Sequence, residues 1–189
     1  MKKSEFREYA ESFIWALALA LFIRTFIVAP FRIPTGSMRQ TLMEGDRILV
    51  DKVVYGIKIP FAGWRLPAVR KPARGDIVVF RSPEDRRKDY IKRLVGLGVD
   101  QVEIRDLHLW VNGTALMEPP IFRDQVYYNR GVFGQQGRPI TVPPGHYFFL
   151  GDNSASSRGS RYWGFVSEDK IIGRAFMIFW PPKRIRFLK

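Results

Sequence analysis

The sequence predicts a mainly β protein: an antiparallel β-sheet domain carried on one N-terminal transmembrane helix. Three observations predict it. Residues 12–31, SFIWALALALFIRTFIVAPF, form an apolar run whose one charge is Arg24. After Ile33, short stretches rich in Val, Ile, Leu and Phe alternate with clusters of Gly, Pro, Asn and Asp, the pattern of strands and turns. Hydrophobic residues make up 46% of the 189, enough for one cored domain and too many for a disordered chain.

The chain carries 31 Lys and Arg against 18 Asp and Glu, a net charge of +13. Such an excess suits nucleic acid or an anionic lipid surface. The charges are scattered, with no dense basic run interleaved with aromatics, so the reading is a solvated basic surface near a membrane and no nucleic-acid partner. Cysteine is absent. The fold therefore uses neither disulfides nor thiolate metal sites, and no thiol can serve as a nucleophile.

Residues 12–31 span about 30 Å as a helix, sufficient for a bilayer core. The long stem of Arg24 can carry its guanidinium to the interface. Lys2, Lys3 and Arg7 precede the run, so residues 1–11 are expected on the cytoplasmic side and the body on the outer face. A cleaved secretion signal is the rival reading. The uninterrupted apolar stretch, residues 13–23, has the length of such a core, and Ala18-Leu19-Ala20 has small-x-small form. That triplet lies inside the run, however, and apolar character resumes beyond Arg24 to Val28, so a retained anchor is expected. Both readings export the domain.

The body follows in order. Residues 31–54, FRIPTGSMRQTLMEGDRILVDKVV, join the anchor to a first strand at 47–54. Within them Pro34 fixes its own φ and Gly36 permits dihedrals that other residues avoid, so Pro34-Thr35-Gly36-Ser37-Met38 can hold one hydroxyl in a set direction. Residues 55–71 read as an extended loop or hairpin, with Phe61 and Trp64 either dipping into the lipid interface or buried. Arg74-Gly75-Asp76 is a turn opening a buried strand at 77–80 rather than an adhesion motif. Residues 89–96, DYIKRLVG, form a strand with Tyr90, Lys92 and Leu94 on one face and Ile91, Arg93 and Val95 on the other. Residues 101–116 read as a hairpin with apolar positions at Val102, Ile104, Leu107, Leu109 and Val111 and a tight-turn signal at Asn112-Gly113. Residues 119–144 are an irregular excursion. The last strands lie at 147–150 and 171–180, separated by the small, polar loop 151–166, GDNSASSRGSRYWGFV.

A serine nucleophile needs a base. His108 alternates with leucines on the solvent side of the hairpin, and His146 follows Pro143-Pro144-Gly145. Neither has a setting suited to a triad, and two isolated histidines without cysteine make a poor metal-ligand set. Lysine is the other base available. It is protonated at neutral pH when exposed, and burial lowers its pKa. Lys92, mid-strand between Tyr90 and Leu94 on its own face, is the lysine best placed for that.

Together these stretches resemble the bacterial type I signal peptidases. The block P-S-x-S-M-x-P-T-L of that family is similar to residues 34–42, PTGSMRQTL. R-G-D-I-V-V-F stands unchanged at 74–80. Y-I-K-R-x-V-G matches 90–96, and G-D-N-x-x-x-S-x-D-S-R-x-x-G-x-V is similar to 151–166. The blocks keep the family's order behind an N-terminal anchor.

The resemblance implies a signal-peptidase-like antiparallel β-sheet catalytic core over residues 32–189, with a variable insertion at about 102–143. It implies a membrane-bound serine endopeptidase of the cell (inner) membrane, single-pass, acting on signal-peptide-bearing preproteins among membrane lipids and near the export machinery, with no cofactor and no metal. Ser37 matches the nucleophile and Lys92 the general base. Thr35 Oγ and the Ser37 N–H match the oxyanion hole, and Ser157 a serine that orients the base. Phe31, Ile33, Met38, Leu42, Ile48, Val79, Asp89 and Ile91 match the substrate cleft. Tyr90, Asp152 and Arg161 match residues that support the site. Three departures stand out. Gln40 replaces a proline, which is expected to loosen the turn. Leu97-Gly98-Val99-Asp100 replaces L-P-G-D. Gly159 stands where the family has an aspartate paired with the arginine matched by Arg161. A catalytically inactive, membrane-tethered basic binding protein and a self-cleaving Ser/Lys repressor-like protease are the alternatives, and no DNA-binding module supports the latter.

Overall fold

The computed structural model describes residues 2–56 and 66–188, with side chains from Phe6 onward. Phe61 and Trp64 lie outside the described residues. The N-terminal helix α1 spans Lys2–Phe22 and continues as a single wider turn over Ile23–Ile27. The stretch Phe6–Ile27 is long and apolar enough to cross a membrane, and none of it is buried by the rest of the protein. A helix that is apolar all round and unpacked needs an apolar solvent.

The apolar run does not stay helical to residue 31. Strand β1 takes Val28–Arg32 and pairs antiparallel with β2, Arg47–Asp51, from Val28 opposite Asp51 to Arg32 opposite Arg47. The physical reason is Pro30. It cannot donate to a helical ladder, and a proline is tolerated on an edge strand, where β1 lies. Lys52 Nζ ties the junction by donating to the carbonyls of Arg24 and Thr25, at 3.3 and 3.0 Å.

Beyond β2 come β3 (Ile77–Arg81) and β4 (Asp89–Gly96). The insertion follows with β5 (Gln101–Arg105), β6 (His108–Val111), β7 (Thr114–Ala115) and β8 (Ile140–Thr141). Then come β9 (His146–Leu150), β10 (Val166–Ser167), β11 (Ile171–Trp180) and β12 (Arg186–Phe187). Among the described residues the strands form two sheets. The larger runs β1-β2-β11-β3-β4-β9-β10, with β12 beside β11, and its pairings are antiparallel. The smaller runs β7-β6-β5-β8.

The insertion is thus a small antiparallel sheet rather than one hairpin. Two turns build it, Asp106-Leu107 and Asn112-Gly113, each with both residues at positive φ (51° and 64°; 53° and 78°), as tight two-residue connections require. Leu107 consequently sits at a turn and is exposed, while Val102, Ile104, Leu109 and Val111 are buried. These four pack with Phe122, Tyr127 and Phe148 into a core of their own.

The β4 alternation follows the pattern expected of it. Tyr90 and Leu94 pack with Val78, Phe80 and Phe149, whereas Ile91 packs on the core of Ile33, Met38 and Val79. Lys92 lies opposite Val78. The Arg-Gly-Asp segment is a turn, with Gly75 at φ 91°. Asp76 is buried and bonds Tyr55 Oη at 2.7 Å and both terminal nitrogens of Arg70 at 2.9 and 2.8 Å, which leaves no ligand for an adhesion receptor.

The 97–100 turn stores strain. The Asp100 N–H donates to the Leu97 carbonyl at 3.0 Å, and the Asp100 carboxylate accepts from Leu97 N–H and Arg74 at 2.7 Å each. These bonds hold exposed Val99 at φ 71°, a region that β-branched residues avoid. Replacing Val99→Gly should stabilise the fold by about 1 kcal/mol, read as a higher denaturant midpoint at unchanged slope. A lower midpoint would show the strain to be absent.

Candidate active site

The segment between β1 and β2 is a closed loop. At its base Ile33 N–H donates to Asp46 O and Gly45 N–H to Ile33 O, both at 2.9 Å. At its tip Gly36–Met38 make one tight 3-10 turn. Ser37 is the second residue of that turn, so its N–H has no partner within it. The hydroxyl is committed: Ser37 Oγ lies 2.5 Å from Lys92 Nζ.

Lys92 is 5% exposed. Burial pushes its pKa down to about 8, with the Asp152 carboxylate opposing the shift. The opposition is incomplete because Asp152 is already engaged. Arg93, the next residue on β4 and pointing to the other face, donates to both Asp152 oxygens, Nε to Oδ1 at 2.8 Å and Nη2 to Oδ2 at 2.7 Å. Thr41 Oγ1 adds a bond to Oδ2 at 2.5 Å. Consecutive residues on one strand thus place an uncompensated amine on one side and a compensated ion pair on the other.

The loop after β9 closes the site. Gly151 is needed there, since a Cβ would stand 2.3 Å from Ser37 O and 2.2 Å from Ser157 Oγ. Asn153 donates twice to the Gly36–Met38 turn, from its N–H to Ser37 O at 3.1 Å and from Nδ2 to Gly36 O at 3.0 Å. The resulting cleft, about 590 Å³, is lined by Thr35, Ser37, Asp89, Tyr90, Ile91 and Lys92 together with Pro34, Gly36, Lys88, Ser156 and Arg158. Neither histidine lines it. His108 is exposed, with Nδ1 2.7 Å from Asp106 O, and His146 Nδ1 lies 3.0 Å from Pro144 O.

Several residues sit differently from the expectation. Ser157 Oγ is buried without a hydrogen-bond partner, so the expected bond to Lys92 is not formed here. Of the expected cleft residues, Asp89 and Ile91 line the opening. Ile33, Met38, Leu42, Ile48 and Val79 are 0–2% exposed, and Phe31 packs partly buried against them. These apolar side chains satisfy one another beneath the cleft floor instead of facing it. Gln40 is at φ 85°, which a proline ring cannot adopt. Its side chain meets buried Gln125 of the insertion, so the replacement re-routes the turn and fastens it to the insertion.

Arg161 is buried without the aspartate expected of its partner position. Its guanidinium donates instead to the carbonyls of Tyr128, Ser154 (2.8 Å) and Ser157 (2.9 Å) and to Ser154 Oγ (3.1 Å), and burial lowers its pKa. Gly159 leaves no room for a carboxylate, because a Cβ there would lie 2.9 Å from Phe149 O. The loop is supported by backbone approach to β9, with Ser160 Oγ accepting from Phe149 N–H at 2.9 Å. Arg93, Thr41 and Asn153 carry no role in the sequence pattern alone. Their signal was their place inside the matched or nearly matched blocks.

Fold and site define a class: a β domain on an apolar N-terminal helix, with a serine hydroxyl held against a desolvated lysine in an open cleft. Comparison with known proteins narrows the class. The family model "Signal peptidase, peptidase S26" matches residues 6–180. A signal peptidase I of Pseudomonas aeruginosa is 36% identical over 94% of this chain and 74% of its own length. A probable signal peptidase I-2 of Synechocystis is 36% identical over 96% and 76%, and a signal peptidase I of Rickettsia typhi 37% over 94% and 81%. A crystal structure of a signal peptidase I from Enterococcus faecalis is 36% identical, covering 56% of this chain and 97% of that one with a TM-score of 0.44. The chain belongs to the signal peptidase family, peptidase S26, and so is a peptidase. With its apolar N-terminal helix it is membrane-anchored.

The buried ion pair sets an expected outcome for stability. Asp152→Ala leaves the Arg93 guanidinium buried without its carboxylate and should cost about 3–5 kcal/mol, measured by denaturant unfolding in detergent. A loss below about 1 kcal/mol would place the pair in solvent.

Proposed function

We propose that this protein removes signal peptides from exported preproteins by a Ser37–Lys92 dyad. The observation that carries the reading is the 2.5 Å approach of Lys92 Nζ to Ser37 Oγ, by an amine whose pKa burial pushes down to about 8. A useful fraction of such a lysine is neutral near physiological pH and can act as a base.

The steps balance as follows. Neutral Lys92 takes the Ser37 proton as Oγ bonds to the scissile carbonyl carbon. The carbonyl oxygen gains the negative charge and is met by Thr35 Oγ and the Ser37 N–H, a contribution of about 3 kcal/mol per donor in such sites. The Lys92 ammonium gives its proton to the leaving amine as the C–N bond breaks, leaving an ester on Ser37. Lys92 then takes a proton from water, whose oxygen attacks the ester. The Ser37 oxygen leaves, recovering its proton from Lys92. Ser157 Oγ, buried without a partner, can accept from the transient ammonium and so orient it.

The substrate would enter as an extended strand. Among the described residues β9 pairs along β4 only with Arg93, Leu94 and Gly96, and no described strand pairs with Asp89–Lys92 on the side away from β3. Alternate side chains then face the cleft, where Ile91 over the packed Ile33 core leaves little depth. Small residues are therefore required at the first and third positions before the cut. We assign a cytoplasmic N-terminus and an outer-face catalytic domain from the basic residues preceding the anchor, and a place in the bacterial inner membrane near the export machinery from the family and its bacterial members.

Ser37→Ala and Lys92→Ala should abolish preprotein processing in a folded protein, and Lys92→Arg should as well, because arginine cannot serve as a neutral base. Wild-type activity should rise with pH through about 8, since the deprotonated amine is the active form. Processing by folded Ser37→Ala, or a rate still climbing at the ordinary lysine pKa of about 10.4, would defeat the mechanism. In a substrate series, wild type should reject Leu at the first position before the cut, and Ile91→Ala should relax that rejection by roughly tenfold or more. Unchanged selectivity in the variant would remove Ile91 from the pocket.

A further inference from the structure

We infer that Asn153 is a positioning residue that sets the direction of the Ser37 N–H. The inference rests on the Ser37–Lys92 reading above and adds to it the element that aims the oxyanion donor. Gly36 and Ser37 share a planar trans peptide, so the carbonyl of Gly36 and the N–H of Ser37 point in opposite directions. Asn153 Nδ2 holds that carbonyl at 3.0 Å. Its own N–H holds the next carbonyl, Ser37 O, at 3.1 Å.

With both carbonyls drawn toward the 151–153 loop, the Ser37 N–H between them is turned away from it, toward the cleft that Thr35 and Ser37 line. Gly36 makes such control necessary. It has no Cβ, so the peptide could rotate through dihedrals closed to other residues. Within the turn the Gly36 carbonyl accepts from Arg39 N–H at 3.1 Å, and Asn153 Nδ2 adds a second restraint on it from outside the turn. Asn153 is not among the residues that line the cleft. Its anchor is the adjacent Asp152, itself fixed by Arg93 and Thr41, so the aim of the N–H is referred back to β4, the strand that bears Lys92.

The test compares Asn153→Ala and Asn153→Asp with wild type in detergent micelles. The substrate is a peptide spanning a small-x-small site, and the transition-state probe is the matching peptide aldehyde, which adds to the serine as a tetrahedral oxyanion. Rates are expressed per site titrated with the aldehyde, so an unfolded fraction does not count. Both variants should lose roughly tenfold to a hundredfold in kcat with KM within about twofold. The aldehyde inhibition constant should rise by the same factor as kcat/KM falls. Asn153→Ala should keep the wild-type pH profile, because Lys92 is untouched. The aspartate variant, equal in size but lacking the donor, should not rescue, whereas a packing role would be rescued by it. Wild-type kcat in either variant, a loss confined to KM, or rescue by the aspartate would overturn the inference. Activity in Ser37→Ala would instead overturn the dyad reading, so the two failures are distinguishable.

Discussion

The structure depends on keeping one amine out of water without giving it a counter-ion. A buried lysine beside a free carboxylate would remain an ammonium and could not act as a base. Here the carboxylate that acts on Lys92, Asp152, is bonded through both oxygens by Arg93. The β alternation makes this possible: residues 92 and 93 leave the strand on opposite faces, one toward Ser37 and the other toward Asp152. The same ion pair that withholds a partner from Lys92 also fixes the loop that braces the serine turn.

The larger sheet supplies the rigid part of this arrangement. β4 pairs with β3 over Asp89–Arg93 and with β9 over its far part, Arg93–Gly96. Among the described residues no second strand pairs with the near half, beside the cleft, and the far half carries the loop after β9 to the serine turn. The core of Ile33, Met38, Leu42, Ile48 and Val79 lies beneath. Its effect on the cleft is indirect: it sets the depth that remains above Ile91.

The insertion contributes to the site although it forms a separate sheet. Gln125 reaches the serine turn at Gln40, and the 128–133 segment exchanges hydrogen bonds with Arg161: Tyr128 O accepts from the guanidinium, and Arg161 O accepts from Val132 and Phe133 N–H at 2.8 and 3.0 Å. A Cβ at Gly131 would stand 2.3 Å from Arg161 O, a measure of how closely the two segments pack. Where an aspartate would support Arg161 in the family pattern, carbonyls from the insertion and the neighbouring loop do so in this chain.

The sequence by itself determined the apolar helix, the β character of the body, and the bounds of β4 and β11, because hydrophobic periodicity and turn residues are local properties. It also determined Ser37 and Lys92 as the pair to examine, by eliminating thiols and poorly placed histidines and then through the order of the four blocks. Tertiary structure alone decided the rest. Val28 could continue a helix or start a strand until β2 offered it a partner. Met38, Leu42 and Ile48 are apolar whether they face a cleft or a core, and only packing between distant segments chooses. Arg161 bonds the carbonyl of Tyr128, 33 positions away, and Asn153 meets Gly36 from 117 positions away. Such contacts depend on which surfaces the folded sheets bring together, and spacing along the chain carries no record of them.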